Sequence, residues 1–516
     1  MLRAVRNIAR LLGIVRTLAR HDALFPLEFL TDGSVVAATA KLVVRLSTRK
    51  HVENLRPGQR LSLALQGLGP SFIKFGQSLA TRSDLIGDEM AADLSQLQDR
   101  LAPFATAEAR RTVEDELSTP IAEMYSQFDD QPVAAASIAQ VHFAVTTDGR
   151  EVAVKVLRPG IEDAFARDLD LFLWLAETIE NSQPSLHRLK PVEVVRTFAR
   201  VVGTEMDLRL EAAAASELAE NFADDDSFNV PEIDWRRTAK RVLTLARVEG
   251  IPIDQRDDLI KAGHDPRALV ETASRAIFNQ IFRDGFFHAD LHPGNLFVAA
   301  DGSIHAVDFG IMGRLDATTR RYLGEMLLGF LDGDYRRVSD VHFRAGYVPA
   351  GQSRDEFMQA CRSIGAPIID LPLNEISIAR LLAQMFSITV AFQMETQPQL
   401  LLLQKTMMVA EGLGRMLDAE VNMWDLSRPL IADWIEGNLG AEALLRETAK
   451  EVAMGIERLP HLIKGAERTA EMFAEGGLRL HPDSVRGLTQ GGNNRGGGVA
   501  VWLILAVLAA ILVVLL

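Results

Sequence analysis

The chain has 516 residues, 48% of them hydrophobic and 24% charged, so it can bury a sizeable core and has the length of about three ordinary domains. Its 55 Lys and Arg against 69 Asp and Glu give a net charge of −14, which argues against a general nucleic-acid-binding protein. A single cysteine, Cys361, excludes an intramolecular disulfide framework and a cysteine-rich zinc site.

Residues 1–22 are predicted to form a basic amphipathic helix. The first 20 residues carry five arginines and no acid. On a helical wheel the arginines share one side and the aliphatic residues fall mostly on the other, which is typical of a helix in an anionic membrane interface. A mitochondrial transit peptide has the same character. A basic surface helix docked on the main body is the third interpretation.

Residues 23–118 are predicted to form a helical N-terminal extension, since their helical periodicity is broken only at prolines. In the segment PSFIKFGQSLATR, which starts at Pro70, Lys74 and Gln77 share one helix face. Gly76 costs a helix interior ~1 kcal/mol relative to alanine, which indicates a close approach by another part of the chain. By composition alone this is an ordinary amphipathic helix.

Residues 119–250 are predicted to form a smaller lobe that contains β-strands. In residues 141–156, β-branched residues flank the turn pair Asp148-Gly149, which predicts a hairpin. Lys155 lies on the second strand, where a lysine can reach the α- and β-phosphates of a nucleotide. Helices are predicted over 161–182 and 191–223, and extended segments around 228–234 and 242–248.

A strand-borne lysine of this kind needs a carboxylate partner on the helix that follows. The candidates are Glu205, Asp207 and Glu211. Asp207 and Glu211 are four residues apart and share a face, whereas Glu205 projects elsewhere. Each of them is also compatible with a solvated charge on a helix surface.

The loop that would cover the phosphates contains no glycine. It consists of Ala134, Ala135, Ala136 and Ser137, and Val141 follows on the first strand of the hairpin. Alanine disfavours the positive φ angles that let a backbone wrap closely around phosphates. We therefore expect nucleotide binding to differ from that of protein kinases.

Residues 251–480 are predicted to form a mainly helical lobe that carries the chemistry. Asp290 and Asn295 stand five residues apart, as in the catalytic loop of kinases, and an Asp-Phe-Gly triplet follows at Asp308. Phosphoryl transfer needs a carboxylate that orients the acceptor and metal ions that bridge the phosphates. The spacing thus predicts Asp290 as the orienting base and Asn295 and Asp308 as ligands of Mg²⁺, with ATP as the nucleotide.

His288 and His292 require a separate explanation, because two histidines at i and i+4 on a helix could bind zinc. Pro293 and Gly294 argue against a continuous helix there. We expect these imidazoles to form structural hydrogen bonds.

Residues 481–498 are predicted to form a glycine-rich linker and residues 499–516 a transmembrane anchor. The last 18 residues are all apolar, and at ~1.5 Å per residue they reach about 27 Å, enough to span a bilayer core. Arg486 and Arg495 precede the span, which favours a soluble body on the cytoplasmic side. The expected location is the inner, cytoplasmic membrane, with a single C-terminal span.

Together these motifs resemble the UbiB family of atypical protein-kinase-like proteins over most of residues 25–480. The segments that carry the resemblance are Lys74-Phe75-Gly76-Gln77, the alanine loop at 134–137, Lys155, Glu205-Met206-Asp207 and His-Ala-Asp-Leu-His-Pro-Gly-Asn at 288–295. The resemblance implies an α+β fold, bilobal and protein-kinase-like, with a helical N-terminal extension and a C-terminal transmembrane helix.

The resemblance also implies roles for individual residues. Glu211 would pair with Lys155. Glu205 and Asp207 would meet the helix of Lys74, Gly76 and Gln77 where it folds over the cleft, which gives these five residues a regulatory role. A helix in that position would obstruct a protein substrate.

By resemblance, the chain would be a membrane-anchored ATPase required for ubiquinone biosynthesis. Its partners would be membrane lipids, prenylated quinone precursors and possible ubiquinone-biosynthesis proteins, and no nucleic acid. The older family name, 2-polyprenylphenol 6-hydroxylase, finds no support in the residues, since a complete Gly-x-Gly-x-x-Gly turn and di-iron Glu-x-x-His pairs are absent from the sequence. Two alternatives stay open, a small-molecule phosphotransferase and a nucleotide-binding scaffold for a biosynthetic complex.

Overall fold

The computed structural model describes residues 2–23, 55–80, 86–95, 97, 101–182, 191–367, 388–389, 391–394, 398–421, 426, 429–430 and 434. All of them belong to one compact unit, Met1–Gly437, and the second unit, Asn438–Leu516, lies outside the described residues. The described part combines helices with small sheets, as expected for an α+β fold.

Most of the N-terminal residues that the structure describes are helical. Helix α1 (Leu2–Arg20) lies in the predicted basic segment, and α2 (Pro57–Leu68), α3 (Pro70–Ala80) and α4 (Asp88–Ser95) lie in the predicted extension. The last three contact one another, and α1 lies against α2. Helix α5 (Thr106–Leu117) and the short α6 (Ile121–Met124) follow before the first strand.

The basic helix α1 is docked on the main body. Val15 and Ala19 on its apolar side are buried. The Arg10 side chain pairs with the buried Asp168, and Asn7 Nδ2 lies 3.4 Å from Asp170 Oδ2. Of the three interpretations of this segment, the structure therefore shows the docked surface helix, and membrane contact by α1 stays a prediction.

The smaller lobe is built on an antiparallel sheet. In the described residues it has five strands: β1 (Tyr125–Phe128), β2 (Ala134–Ala135), β3 (Ala139–Thr146), β4 (Glu151–Leu157) and β6 (Val242–Ala246). The predicted hairpin is confirmed as β3 and β4, with β3 beginning two residues earlier than expected and the turn at Asp148-Gly149.

Strand β4 lies inside the sheet, between β3 and β6, and is covered on both faces. Val152 and Val154 contact the cluster that includes Val113 of α5, while Ala153 and Leu157 belong to the main core. Burial of β-branched side chains on a pleated surface is what makes this short sequence a strand. Because both neighbours bond to it, β4 is a rigid support for Lys155.

The helices after the sheet differ from expectation at one point. Helix α7 (Ile161–Ser182) agrees with the prediction. The helical stretch predicted over 191–223 is divided into α8 (Pro191–Glu205) and α9 (Leu208–Asn221), with a break at Met206-Asp207. Asp207 adopts an extended conformation and caps α9, since its carboxylate accepts from the backbone N–H of Arg209 at 3.2 Å.

The larger lobe begins with α10 (Arg256–Lys261) and α11 (Pro266–Phe278), which continues into a π-helical turn at Asn279–Asp284. The short strands that follow are β8 (Phe286–His288), β9 (Leu296–Val298), β10 (Ile304–Ala306) and β11 (Met312–Arg314). In the described chain, β9 and β10 form a sheet of four with β5 (Phe228–Asn229) and β7 (Ile251–Pro252), and β8 pairs with β11.

This pairing brings two loops together. The loop 289–295 joins β8 to β9, and the loop 307–311 joins β10 to β11. Since β8 pairs with β11 and β9 with β10, both loops emerge side by side. Two backbone bonds link them, from Ala289 N to Ile311 O and from Val307 N to Asn295 O, each 2.9 Å long.

The rest of the larger lobe is helical. It comprises α12 (Ala317–Leu331), α13 (Tyr335–Arg344), α14 (Arg354–Gly365) and α15 (Pro398–Leu417). Cys361 on α14 is buried beside Phe357 and Tyr335. Helix α15 packs against α11, so it borders the same region as the two loops.

The predicted linker at 481–498 and the predicted span at 499–516 lie outside the described residues. Among the helices that the structure does describe, none combines the length and the apolar character needed to cross a bilayer.

Candidate active site

The centre of the candidate site is Lys155 on β4. Its ammonium nitrogen lies 2.8 and 3.0 Å from the two carboxylate oxygens of Glu211 and 3.2 Å from Asp308 Oδ1. Glu211 is buried in the first turn of α9. The helix start that Asp207 fixes therefore places Glu211 one turn into α9, facing the sheet.

Asp308 is the charged group of the loop between β10 and β11. Its backbone has a φ of 65°, the left-handed region, and the following Phe309 is buried in the core. The attraction of Lys155, to which Lys74 adds, lowers the pKa of Asp308 to about 2. Burial opposes the charged form of Lys155, but Asp308 and Glu211 outweigh it and raise the pKa of that ammonium. Burial raises the pKa of Glu211, although the Lys155 ammonium opposes that shift. Of the two carboxyls that contact Lys155, Asp308 is therefore the one whose charged form is favoured.

The loop between β8 and β9 carries Asp290 and Asn295. Asn295 Nδ2 donates to the backbone carbonyl of Asp290 at 3.1 Å, so the two predicted catalytic-loop residues are held together. The amide oxygen of Asn295 is then the group that would bind a cation. At the loop's start, Gln280 of the π-helical turn accepts from the backbone N–H of His288 through Oε1 at 2.9 Å.

His288 at the end of β8 and His292 in the loop both accept hydrogen bonds from backbone N–H groups. His288 Nδ1 accepts from Asp290 N, and His292 Nδ1 accepts from Gly294 N, each at 3.1 Å. His292 thereby caps a 3₁₀ turn over Pro293–Asn295, so no helix continues from one histidine to the other. The structural role that the sequence favoured over zinc binding agrees with this geometry.

Helix α3 approaches the same cleft from the N-terminal extension. Lys74 Nζ lies 3.1 Å from Glu205 Oε2, and both side chains are largely buried. A Cβ on Gly76 would come within 2.6 Å of Leu65 on α2, so this glycine permits the predicted close approach. Gln77 Nε2 lies 3.4 Å from the carbonyl of Leu97, on the side of the extension.

Asp207 is placed differently from the expectation drawn from resemblance. We expected it to meet the Lys74 helix together with Glu205. Instead its carboxylate caps α9 and pairs with Arg209, whose Nη2 lies 2.6 Å away. A helix start needs an acceptor for its unpaired N–H groups, and that demand explains the difference.

The alanine loop forms the edge of the sheet. Ala134 and Ala135 form β2 opposite Val141 and Gln140, and Ser137 is buried. The Arg158 guanidinium donates to the carbonyl of Ala136, with Nη2 at 3.0 Å. A side chain therefore holds this loop in place where protein kinases have a glycine-rich one.

Lys405 was missed by the sequence reasoning. It lies on α15, and its Nζ is 2.7 Å from Asp290 Oδ1 although 115 residues separate the two. The available signal was Gln404-Lys405-Thr406, three polar residues inside the apolar run of α15. Such a trio is compatible with many helix surfaces, so the sequence alone does not connect it with Asp290.

The residues present fit a magnesium–nucleotide group. In the described chain, no three His, Cys, Asp or Glu side chains form a cluster that could hold a metal by themselves. Mg²⁺ usually takes one or two carboxylates together with substrate phosphates, so Asp308 and the amide of Asn295 form a suitable donor set. Lys155 would supply the cation for the remaining phosphate charge.

Lys155 on a central strand, the loop of Asp290 and Asn295, and Asp308 of the Asp-Phe-Gly triplet meet where an antiparallel sheet adjoins a helical lobe. That arrangement is typical of a kinase-like protein, and the alanine loop in place of a glycine-rich one makes it an atypical one.

Comparison with known families agrees with this class. Residues 96–342 match the ABC1 atypical kinase-like domain, and residues 361–422 match the UbiB helical domain. The probable protein kinase UbiB of Marinobacter nauticus is 43% identical over 412 residues, 79% of this chain and 75% of that protein. The probable protein kinase UbiB of Pseudomonas putida strain F1 is 39% identical over 465 residues, 89% of this chain and 85% of that protein.

A solved structure is also similar. It is titled as the complex of Rv3197 with erythromycin from Mycobacterium tuberculosis. It superposes with a TM-score of 0.51 at 26% identity and covers 77% of this chain and 98% of that one. The kinase-like α+β fold is thereby confirmed, and the chain belongs to the UbiB family of atypical kinase-like proteins.

Proposed function

We propose that the chain is a membrane-anchored, ATP-dependent kinase-like ATPase of ubiquinone biosynthesis, which acts on polyprenylphenol intermediates or makes them accessible to soluble enzymes. The observation that carries the proposal is the contact of Lys155 with both Glu211 and Asp308, beside the loop of Asp290 and Asn295. The pathway follows from membership of the UbiB family, whose relatives are named probable protein kinases.

Each residue has a defined part in the proposed reaction. ATP would supply the phosphoryl group and Mg²⁺ would neutralise its charge, with Asp308 and Asn295 as metal ligands and Lys155 bound to the inner phosphates. Asp290 orients water or an acceptor hydroxyl and takes up its proton. The bond from the terminal phosphorus to its bridging oxygen breaks, a bond to the acceptor oxygen forms, and ADP leaves.

The position of α3 favours a small or lipid acceptor over a protein. Lys74 on α3 forms an ion pair with Glu205 at the end of α8, and its positive charge helps to lower the pKa of Asp308. A helix held this close to the metal aspartate narrows the access that a folded protein substrate would need. A prenylated phenol entering from a membrane surface needs less room.

The first test is ATP hydrolysis by the purified full-length protein, with and without Mg²⁺ and vesicles that contain a phenolic lipid. We expect magnesium-dependent turnover that the vesicles stimulate. Asp308→Asn should lower turnover by about a hundredfold or more, since a charged metal ligand is lost. Absence of ATP hydrolysis by the wild-type protein under these conditions would refute the proposal.

The second test concerns the anchor. A variant without residues 499–516 should move from the membrane fraction to the supernatant, and the full-length protein should resist extraction by alkaline carbonate. Protease added to right-side-out bacterial spheroplasts should leave the soluble body intact if that body faces the cytoplasm. Digestion of the body would contradict the proposed orientation.

The third test concerns the pathway and the alternatives. A strain lacking the protein should accumulate an early prenylphenol, and Asp290→Asn and Asp308→Asn should fail to restore the quinone. Restoration by both variants would favour the nucleotide-binding scaffold. Transfer of labelled phosphate to a soluble alcohol would favour the small-molecule phosphotransferase.

A further inference from the structure

The catalytic loop itself carries no cation. Residues 285–298 contain neither lysine nor arginine. Negative charge on the transferred phosphoryl group is stabilised by nearby cations and metal ions in phosphotransfer enzymes. His292 is the nearest basic side chain that follows Asp290 in the loop. Its Nδ1 already accepts a hydrogen bond from the backbone N–H of Gly294.

A cation reaches this loop from α15. Lys405 Nζ lies 2.7 Å from Asp290 Oδ1, and both side chains are about a third exposed, at 37% and 39%. The ion pair is therefore partly accessible to solvent. Lys405 lies outside the segment that matches the kinase-like domain and inside the one that matches the UbiB helical domain.

The position of Lys405 is fixed by the helix that carries it. Its neighbour Thr406 is buried, and Leu413 and Leu417 of α15 belong to the main core. At the end of the helix, Arg256 Nε donates to the carbonyl of Leu417 at 2.8 Å. Because α15 is seated in the core, the lysine stem projects from a rigid base.

The reach of Lys405 follows from the role proposed for Asp290. An acceptor oxygen held by Asp290 would lie about 3 Å from its carboxylate and roughly 3–3.5 Å from the phosphorus that it attacks. A second group on the same carboxylate oxygen is therefore within reach of the transferred phosphoryl group. An ammonium has three donor hydrogens, so it can hold Asp290 and donate to a phosphate oxygen at once.

We propose that Lys405 is a positioning residue for Asp290 that also binds the terminal phosphate of the nucleotide, in place of a cation within the catalytic loop. The proposal rests on the proposed function, because it presupposes ATP in the cleft. The two lysines then have different ligands: Lys405 would bind the terminal phosphate, and Lys155 would bind the inner phosphates.

The experiment measures dissociation constants of the full-length protein for MgATP and MgADP by titration calorimetry. Lys405→Gln should weaken MgATP binding about tenfold, which one lost charge-assisted hydrogen bond accounts for, and should leave MgADP binding within about twofold. Lys405→Arg should restore most of the difference. The matched control is Lys261→Gln, which removes an exposed lysine that pairs with Asp258 at 2.8 Å on α10 and should change neither constant.

The outcomes separate the proposal from the function on which it rests. If the wild-type protein bound neither nucleotide, the proposed function would fail and this assignment with it. If the wild-type protein bound MgATP and Lys405→Gln weakened both nucleotides equally or neither, only the assignment would be overturned. Lys405→Met, which keeps the aliphatic stem, serves as a second neutral variant should Lys405→Gln fold poorly, and thermal denaturation checks both.

Discussion

At the scale of single residues, Lys155 is held by two carboxylates whose surroundings differ. The carboxyl of Glu211 is buried, whereas that of Asp308 is about half exposed, at 51%. A half-exposed carboxylate can exchange its lysine contact for a metal ion, while a buried one is suited to a permanent pairing. Glu211 therefore holds the lysine, and in the proposed function Asp308 would be the carboxylate that binds Mg²⁺.

Glu211→Gln tests this division. The substitution keeps the shape but removes the charge that orients Lys155, so we expect ATP turnover to fall by about a hundredfold. The free energy of unfolding should fall by about 1–3 kcal/mol, because Asp308 still partners the buried ammonium. Turnover assays and urea denaturation measure the two effects.

The matched control for that substitution is Glu217→Gln on the same helix. Glu217 is partly exposed and pairs with the exposed Arg314, so the change should affect neither turnover nor stability by a measurable amount. Equal losses in the two variants would mean that the charge of Glu211 has no special part in the site.

At the scale of elements, the packing of α3 depends on a glycine. In Gly76→Ala the new Cβ would lie 2.6 Å from Leu65 Cδ1 and 3.0 Å from Leu97 Cδ2. Overpacking of this kind costs about 1–3 kcal/mol and outweighs the gain in helix propensity. We expect a lower free energy of unfolding by urea denaturation, together with reduced ATP turnover, because α3 borders the cleft.

Gly203→Ala on α8 is the companion substitution. It also lies inside a helix, but a Cβ there meets nothing within 4 Å. Only the helix propensity then changes, so the protein should become up to about 1 kcal/mol more stable. If Gly76→Ala were stabilising to the same extent, the close approach of α2 to α3 would be contradicted.

Several elements could be predicted because their signals are local. The hairpin β3–β4 is specified by alternating β-branched residues around Asp148-Gly149, and the two motif loops by their own residue order. The break between α8 and α9 could not be predicted, since Met206-Asp207 interrupts no hydrophobic pattern, and a single Asp, although a preferred N-cap, also occurs inside helices. Lys405 could not be connected with Asp290, because only the tertiary packing of α15 brings them together.

At the scale of the whole molecule, acid sensitivity follows from buried neutral histidines. Burial lowers the pKa of His342, whose Nδ1 lies 2.8 Å from the carbonyl of Val338. The unfolded chain then binds the proton more readily than the folded one. Stability is therefore complete above the unfolded pKa of about 6.5 and falls as the pH drops below it.

The corresponding prediction concerns a pH series. The free energy of unfolding should decrease between pH 6.5 and pH 5, and His342 alone should contribute up to about 1.4 kcal/mol per pH unit. His342→Gln should reduce that slope, although it lowers stability at neutral pH. Chemical denaturation at several pH values gives the slopes, and equal slopes for the two proteins would contradict the assignment.

The π-helical turn at Asn279–Asp284 constrains the number of residues in this segment as well as their identity. A π-helical turn closes its backbone bonds over five residues where an α-helix uses four, so it shifts the angular phase of everything that follows. Deletion of one residue between Phe278 and Gly285 would restore α-helical phase and swing Gln280 away from His288. In homologous sequences, the six residues of this turn should therefore show amino-acid substitutions far more often than insertions or deletions.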